Sequence, residues 1–249
     1  MYKEHRVFNV PEKSKKIWRY MDFTKFIDLL ESNSLFLTRT DRFNDKFEGS
    51  YPSSNRRLRK EVYLKEENGE LMLNAVELLD GFVNWSRPFT FINCWHLNEY
   101  ESAGMWDLYL KSNEGIAIQS NVGRLIESLN DTPEVVYLGK VDYIDFKNDW
   151  MPEGNMFYPF LHKRKSFEHE KEIRLVHQDL PVEDKKGFDY SAEPTHQYGK
   201  SIKVDINTLI ENIYVSPEAP FWFYELTKKL VEKYNLNKNV FQSELSELP

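Results

Sequence analysis

The sequence predicts an α+β fold in which a single mixed, mostly antiparallel sheet forms the core and helices flank it. Segments with strand-like alternation and segments with apolar residues at helical spacing follow one another irregularly along 249 residues, with no repeat and no low-complexity linker. Hydrophobic residues make up 41% and charged residues 29% of the chain, a balance that supports a buried core. We therefore expect one domain over 1–249, with an N-terminal arm at 1–14 and a helical insertion at 51–82.

The first unit of the fold is predicted to be strand, helix, strand. Residues 16–21 alternate and are rich in aromatic side chains, which is typical of a strand. Asp22 is a suitable N-cap for the helix that follows, and Asn33 marks the end of that helix. Residues 34–40 then form the second strand, and a polar loop follows it.

The rest of the chain continues with strands and helices in irregular order. Asn68-Gly69 separates the two helices of the insertion, because this dipeptide favours a turn. The closing helix is expected to turn Leu226, Leu230 and Val231 inward. The predicted elements after the insertion are strands at 89–95, 116–119, 135–145, 173–178, 201–205 and 213–216, and helices at 102–110 and 221–234.

Charge and cysteine content exclude several classes of protein. The net charge of −7 argues against a broadly basic nucleic-acid binder, although a local basic patch is still allowed. The single cysteine, Cys94, excludes an internal disulfide framework. No apolar segment approaches the ~18–20 residues of a membrane-spanning helix, and the N-terminus has no apolar leader. We expect a soluble, cytoplasmic protein with no membrane partner.

The common catalytic motifs are missing from the sequence. It contains no glycine-rich dinucleotide or phosphate loop and no Gly-x-Ser-x-Gly elbow. The six histidines lack metal-ligand spacing, so no metal site is predicted. Cys94 lies in an aromatic strand, where a buried structural thiol is expected.

Two aromatic segments combine turn-forming or helical residues with candidate binding groups. In the loop Asp41–Gly49, the turn-forming residues fit a purely structural role. They fit a binding role equally well, in which Arg42 would contact a ligand between the aromatic side chains of the loop. In the helix at 102–110, Met105, Trp106 and Tyr109 form a stripe. That stripe fits a core-facing helix better than a stacking surface for a nicotinamide or a base, and both interpretations stay open.

Two charged segments complete the candidate site. In Trp18-Arg19-Tyr20, an arginine inside the first strand can stack structurally or hold a phosphate. Glu170 and Glu172 share one face if the strand at 173–178 extends back to them, and Arg174 continues the same row. Paired carboxylates can stabilise a cationic sugar centre or act as a general base, while a solvated charge ladder is an equal alternative.

These segments, in this order, resemble the DUF2971 family, a bacterial and phage-associated family named as a domain of unknown function. The resemblance covers residues 16–217 and departs from the family pattern at Lys46, at Trp95-His96 and at Ile173. The matching positions are Trp18, Tyr20, Leu35-Phe36, Phe43-Asn44-Asp45, Phe47-Glu48, Cys94, Met105-Trp106, Tyr109, Gly115-Ile116 and Glu170-Lys171-Glu172-Ile173-Arg174.

The strand-helix-strand start and the late Glu-x-Glu are also similar to the ADP-ribosyltransferase superfamily. This resemblance implies an ADP-ribosyltransferase-like fold and NAD as substrate, with Arg19 binding NAD and Tyr20, Tyr109 or Trp106 lining the site. It implies that Glu172 stabilises the oxocarbenium-like ribose with Glu170 as its acidic partner. A toxin or phage-defence effector would transfer ADP-ribose to a protein or nucleic acid and could be held by an antitoxin or other regulatory partner.

A non-enzymatic nucleotide-sensing or protein-interaction module is the alternative. In that case Arg42, Asp45 and Arg174 would form a structural ion network. Convergence of Arg19, Tyr109 and Glu172 on one cleft would favour the enzyme. A buried Arg42–Glu172 pair without an adjoining cavity would favour the module.

Overall fold

A computed structural model describes residues 1–65, 67–183 and 187–245 and has the predicted α+β architecture. The strands are β1 Lys16–Asp22, β2 Ser34–Arg39, β3 Thr90–Leu97, β4 Gly115–Asn121, β5 Tyr137–Lys140, β6 Asp142–Ile144, β7 His162–Arg164, β8 Glu172–Gln178, β9 Val182–Glu183, β10 Gly187–Phe188, β11 Gly199–Lys203, β12 Asn212–Val215 and β13 Asn239–Gln242. The helices are α1 Phe23–Ser32, α2 Ser53–Tyr63, α3 Gly69–Ser86, α4 Ala103–Tyr109, α5 Val122–Glu127, α6 Tyr158–Leu161, α7 Ile206–Leu209 and α8 Phe221–Lys233. None of the helices in these described ranges has the length and apolarity needed to cross a bilayer.

Nine strands form the main sheet. Its path runs β11-β2-β3-β1-β4-β12-β13, and β8 pairs with β3 on one side and with β5 on the other. All these pairs are antiparallel except β12 with β13. The strands β1 and β8 therefore flank β3, as expected for strands of one sheet that lie near each other.

The sheet is forked at β3. Strand β8 pairs along one edge of β3, from Thr90 to His96. On the other edge, β2 pairs only with Phe91 and Ile92, whereas β1 pairs only with His96 and Leu97. The intervening residues 93–95 have no strand neighbour on that edge, so β1 and β2 diverge and leave a gap.

Three apolar clusters hold the elements together. The largest packs α1, α5 and α8 against one face of the sheet, because their apolar residues recur at helical spacing and turn inward. A second cluster joins α3, α6 and the N-terminal segment to β3 and β8. The third packs α4 against β1, with Met105 and Trp106 on Trp18 and Tyr20.

Three predictions, on the buried face of α8, the end of the insertion and the N-terminal arm, need correction. In α8 the buried row is Phe223, Thr227 and Val231, whereas Leu226 is 37% exposed, because the core-facing stripe is rotated from the predicted one. The insertion extends beyond residue 82, since α3 continues to Ser86. The N-terminal segment is not a free arm, because Tyr2 bridges to Val136 and Phe8 is buried in the second cluster.

Buried polar contacts anchor the insertion to the domain. Arg59 on α2 donates hydrogen bonds to both carboxylate oxygens of Asp80 at 2.9 and 2.6 Å and to Glu153 at 2.9 Å. Asn55 donates to the carbonyl of Met151 at 2.8 Å and accepts from its amide at 2.9 Å. The two helices are therefore fixed to the segment that precedes α6.

Gly49 ends the loop over 41–49 in a conformation that favours glycine. Its φ is +66°, and an added Cβ would lie 2.6 Å from a ring carbon of Phe160. We expect Gly49→Ala to lower the free energy of unfolding by about 1–3 kcal/mol, from backbone strain and overpacking together. Chemical denaturation measures this, with Gly81→Ala as the control.

The control glycine lies in α3, where an added Cβ meets nothing within 4 Å. Gly81→Ala should therefore stabilise the protein by about 0.5–1 kcal/mol, through helix propensity alone. Equal unfolding midpoints for the two variants would contradict the close packing of Gly49 on Phe160.

Candidate functional site

A cavity of about 380 Å³ lies at the fork of the sheet. This is in the lower part of the range of roughly 300–1,000 Å³ that small-molecule sites span. Side chains reach it from β1, α1, β2, β3 and α4 and from the start of β8. The lining residues are Trp18, Arg19, Tyr20, Met21, Lys25, Asp28, Leu29, Ser34, Leu35, Phe36, Thr38, Phe43, Ile92, Asn93, Cys94, Trp95, His96, Met105, Tyr109, Glu170 and Glu172.

Arg19 supplies an uncompensated positive charge to this cavity. Its Nη1 donates a hydrogen bond of 2.8 Å to the carbonyl of Cys94, on the β3 edge that has no strand neighbour, and its guanidinium lies 6.0 Å from the Trp95 ring centroid. No carboxylate within the described ranges forms an ion pair with it. Burial lowers the pKa of Arg19, because it removes the cation from water. An anion that entered the cavity would supply a counter-ion and offset this cost.

Glu170 and Glu172 form a carboxyl pair that also lines the cavity. They are 5% and 4% exposed, and the Nζ of Lys163 donates to Glu170 at 2.8 Å and to Glu172 at 2.7 Å. One ammonium group therefore holds the two carboxyl groups side by side.

A buried ion network extends from this pair. Arg174, which is fully buried, donates to Glu172 at 2.6 Å and to both oxygens of Glu48 at 2.6 and 3.0 Å. It also donates to the carbonyl of Phe160 at 2.7 Å. Glu172 therefore contacts two cations and is a structural element of the domain as well as a wall of the cavity.

Electrostatics separate the roles of the two acids. Burial, and then the hydrogen bond and charge of Glu172, raise the pKa of Glu170 to about 7. For Glu172, burial acts in the raising direction but the Arg174 charge, the bond to Glu170 and Lys163 hold its pKa well below the usual range. Near neutral pH Glu172 is therefore ionised, whereas Glu170 exchanges a proton and can act as an acid or as a base.

The proximity of the two acids has a different local origin from the predicted one. Glu170 is the last residue of a 3-10 helix over 165–170, and Glu172 begins β8. Lys171 between them is left-handed, with φ 40°. The alternation of an extended strand predicted the correct neighbours, but a turn, rather than a strand, brings the carboxyl groups together.

The aromatic candidates divide between core and cavity. Tyr20 is 6% exposed, accepts a hydrogen bond of 2.8 Å from the Ser102 amide and packs edge-on against Trp106 at 4.9 Å. Trp106 is buried in the third cluster and is not on the cavity wall, so its predicted stacking role is wrong. Tyr109 is 37% exposed and lines the cavity, and burial raises the pKa of its phenol, which stays neutral.

The loop over 41–49 lines the cavity only in part. Phe43 is on the wall, whereas Phe47 is 51% exposed and lies under the guanidinium of Arg164 at 4.6 Å. Arg42, predicted to bind the cofactor, lies in a 3-10 turn over 40–42, where it is exposed and outside the cavity. The loop contributes Glu48 instead, through its bond to Arg174.

Sequence reasoning also missed several residues of the site. Lys163 lies in the basic run that precedes the two acids, but the sequence does not indicate which residues this lysine contacts. Cys94 lines the cavity, where burial raises the pKa of its thiol, so it is a neutral group. His96 is 3% exposed and bonds through Nδ1 to the carbonyl of Glu170 at 2.7 Å, which links β3 to the acid pair.

Arg19, Tyr109 and Glu172 thus line one cavity, and no pair between Arg42 and Glu172 is present. No family model, curated protein or solved structure matches this chain. The two resemblances remain predictions from the sequence motifs.

Proposed function

We propose that the protein is an ADP-ribosyltransferase-like enzyme, which cleaves NAD and transfers ADP-ribose to a protein or nucleic-acid acceptor. The observation that carries this proposal is the convergence on one cavity of an unpaired arginine and a carboxyl pair held by Lys163. The opposite charges on the cavity wall match a substrate with an anionic diphosphate and a sugar that becomes cationic in the transition state.

The placement of these groups supports the proposal. Strands β1 and β8 flank β3, and the Arg19 guanidinium reaches across the fork to the Cys94 carbonyl on β3. A phosphate bound by this guanidinium would lie in the cavity that Glu170 and Glu172 also line. Tyr109, on α4, would then contact the nicotinamide ring.

The chemistry requires little beyond these side chains. The bond between the nicotinamide nitrogen and ribose C1′ breaks, the bonding electrons leave with nicotinamide, and positive charge develops on the ribose. The Glu172 carboxylate stabilises that charge. The acceptor nucleophile then bonds to C1′ and gives its proton to Glu170, which accepts it above pH 7 where it is ionised.

The ion network supports a second candidate function. Glu172 contacts Lys163 and Arg174, and this neutralisation is typical of a structural residue. In a nucleotide-sensing module, Arg19 would bind the phosphate and the acids would only hold the fold. Such a protein would bind NAD without releasing nicotinamide.

Incubation with NAD labelled in the nicotinamide ring and in the adenosine half distinguishes the two functions. We expect free nicotinamide to accumulate and the adenosine label to be attached to a macromolecule when a cell extract is present. Binding of NAD in a calorimeter without nicotinamide release would support the module. The absence of binding would contradict both functions.

Removing the positive charge of Arg19 should separate binding from folding. We expect Arg19→Ala to weaken NAD binding by about 1.5–3 kcal/mol, because a charge-assisted contact is lost. The free energy of unfolding should change by only about 1 kcal/mol, since no ion pair is broken and a desolvated cation is removed. Titration calorimetry and thermal melts measure the two effects.

Arg42→Ala is the matched control for this prediction, because Arg42 is an exposed arginine outside the cavity. Its NAD affinity and its melting temperature should equal those of the unchanged protein. Weaker binding in Arg42→Ala than in Arg19→Ala would refute the placement of the phosphate.

A further inference from the structure

Lys171 has an unusual backbone at the centre of the carboxyl pair. Of the non-glycine residues within the described ranges, only Asn33, Lys171 and Asn235 have a positive φ. Asparagine tolerates this left-handed region, whereas lysine in it carries a cost of roughly 1–2 kcal/mol. Its side chain is exposed and forms no ion pair within the described ranges, so a side-chain contact does not account for the conformation.

The direction of the chain changes at this residue. The Lys171 amide bonds to the carbonyl of Glu168 at 3.2 Å and closes the 3-10 turn. The Leu97 amide bonds to the Lys171 carbonyl at 2.9 Å and fixes the start of β8 on β3. In a regular strand, residues two apart are separated by roughly 6.6 Å, too far for direct bonding unless the side chains lean together. Here both carboxyl groups accept a hydrogen bond from the Nζ of Lys163.

We propose that Lys171 is a positioning residue, whose left-handed backbone turns Glu170 back toward Glu172 so that both carboxyl groups meet at the Nζ of Lys163 beside the cavity. A catalytic role for this turn rests on the proposed function, whereas the position of Glu170 beside Glu172 can be tested without turnover. Backbone strain that persists beside a site is expected where it holds functional groups in position.

Several elements packed against the carboxyl pair contribute charged or titratable groups. Lys163 on β7 and Arg174 on β8 are the cations, and Glu48 from the loop is bound to Arg174. The neutral groups are Cys94 and His96 on β3, Tyr109 on α4 and Tyr143 on β6. With Glu170 protonated, the two cations balance Glu48 and Glu172, so loss of its proton adds one net negative charge.

Four substitutions of Lys171 test this role. All four remove the ammonium group, but the new residues differ in how well they tolerate the left-handed region. Lys171→Asn and Lys171→Gly tolerate it, Lys171→Ala tolerates it less, and the β-branched Lys171→Val resists it. The side-chain carboxyl of Glu170 is titrated by carbon NMR in the full chain. Nicotinamide release from labelled NAD is measured across pH in parallel.

We expect Lys171→Asn and Lys171→Gly to titrate near the original pH and to release nicotinamide at close to the original rate. In Lys171→Val the Glu170 titration should fall by about one pH unit or more, because Glu170 moves away from Glu172, whose charge helps to raise its pKa. Its nicotinamide release should fall by roughly tenfold or more, with the pH profile displaced in the same direction. Lys171→Ala should lie between these limits and serves if Lys171→Val does not fold.

Asn235→Val is the structural control. Asn235 follows α8 with φ 55°, far from the cavity in the fold, so its substitution adds similar strain without touching the acids. It should lower the melting temperature without moving the Glu170 titration. The proposal is overturned if a folded Lys171→Val or Lys171→Ala titrates like the unchanged protein, or if Lys171→Asn shifts as much as Lys171→Val. If no variant releases nicotinamide, the proposed function fails while the titration still decides the positioning role.

Discussion

Glu172→Gln is expected to abolish nicotinamide release and to destabilise the fold at the same time. Loss of the carboxylate removes the group that stabilises the ribose cation, and removal of such an electrostatic contact costs about 10²–10³ in rate. The solvated charge ladder that the sequence left open as an alternative is wrong, because Glu172 is 4% exposed and bonded to Lys163 and Arg174.

The stability effect of Glu172→Gln follows from the partners that remain. Breaking a buried pair costs about 3–5 kcal/mol, and the lower end applies because Lys163 keeps Glu170 and Arg174 keeps Glu48. A loss of about 3 kcal/mol lowers the melting temperature by roughly 6–12 °C in a chain of this size. Rates are therefore measured well below the melting transition, where the variant is folded.

Glu168→Gln is the matched control for this variant. Glu168 lies in the same 3-10 helix as Glu170 but is exposed. Its substitution should leave both the rate and the melting temperature unchanged. Full nicotinamide release by a folded Glu172→Gln protein would exclude Glu172 from catalysis and leave it a structural residue.

Arg174→Met is expected to have the largest effect on stability, sufficient to leave most of the chain unfolded. It removes the only ion-pair partner that Glu48 has within the described ranges and one of the two partners of Glu172, while both carboxylates stay buried. The cost should reach or exceed about 5 kcal/mol, which is comparable with the whole stability of many domains. Circular dichroism and urea denaturation measure the loss.

Two comparisons sharpen this expectation. Adding Glu48→Gln to Arg174→Met should restore part of the stability, because one uncompensated buried charge is removed. Lys15→Met, which breaks an exposed pair with Glu99, should cost about 1 kcal/mol or less. An Arg174→Met protein that melts close to the original temperature would contradict the buried network.

The sequence predicted elements well wherever the local pattern determined them. The bounds of α1 follow from Asp22 and from Asn33, which does adopt the left-handed cap at φ 47°. The placement of Arg19, Tyr20, Tyr109, Glu170 and Glu172 on one cavity also agrees with the expected convergence. Their convergence depends on the fork of the sheet and on the turn at Lys171, because alternation alone points consecutive strand residues such as Arg19 and Tyr20 to opposite faces.

Long-range contacts account for what the sequence could not predict. Lys163 and Glu48 join the acids through β7 and the loop over 41–49, and nothing in their local segments indicates a buried partner. Spacing favours a core role for Trp106 over a stacking role without excluding the second, and the packing of α4 on β1 places it in the core. Helical spacing predicted that Leu226 turns inward, and the aromatic loop suggested a binding role for Arg42, but both side chains are exposed.

The fork in the sheet also determines where the backbone is least protected from solvent exchange. Only two residue pairs join β1 to β3, and two join β2 to β3, whereas seven pairs join β3 to β8. Regions with few hydrogen-bonded partners open more readily than continuous strands. Amide hydrogens of β1 and β2 next to the fork should therefore exchange with deuterium sooner than those of β8. A molecule bound in the cavity would bridge the diverging strands and slow that exchange.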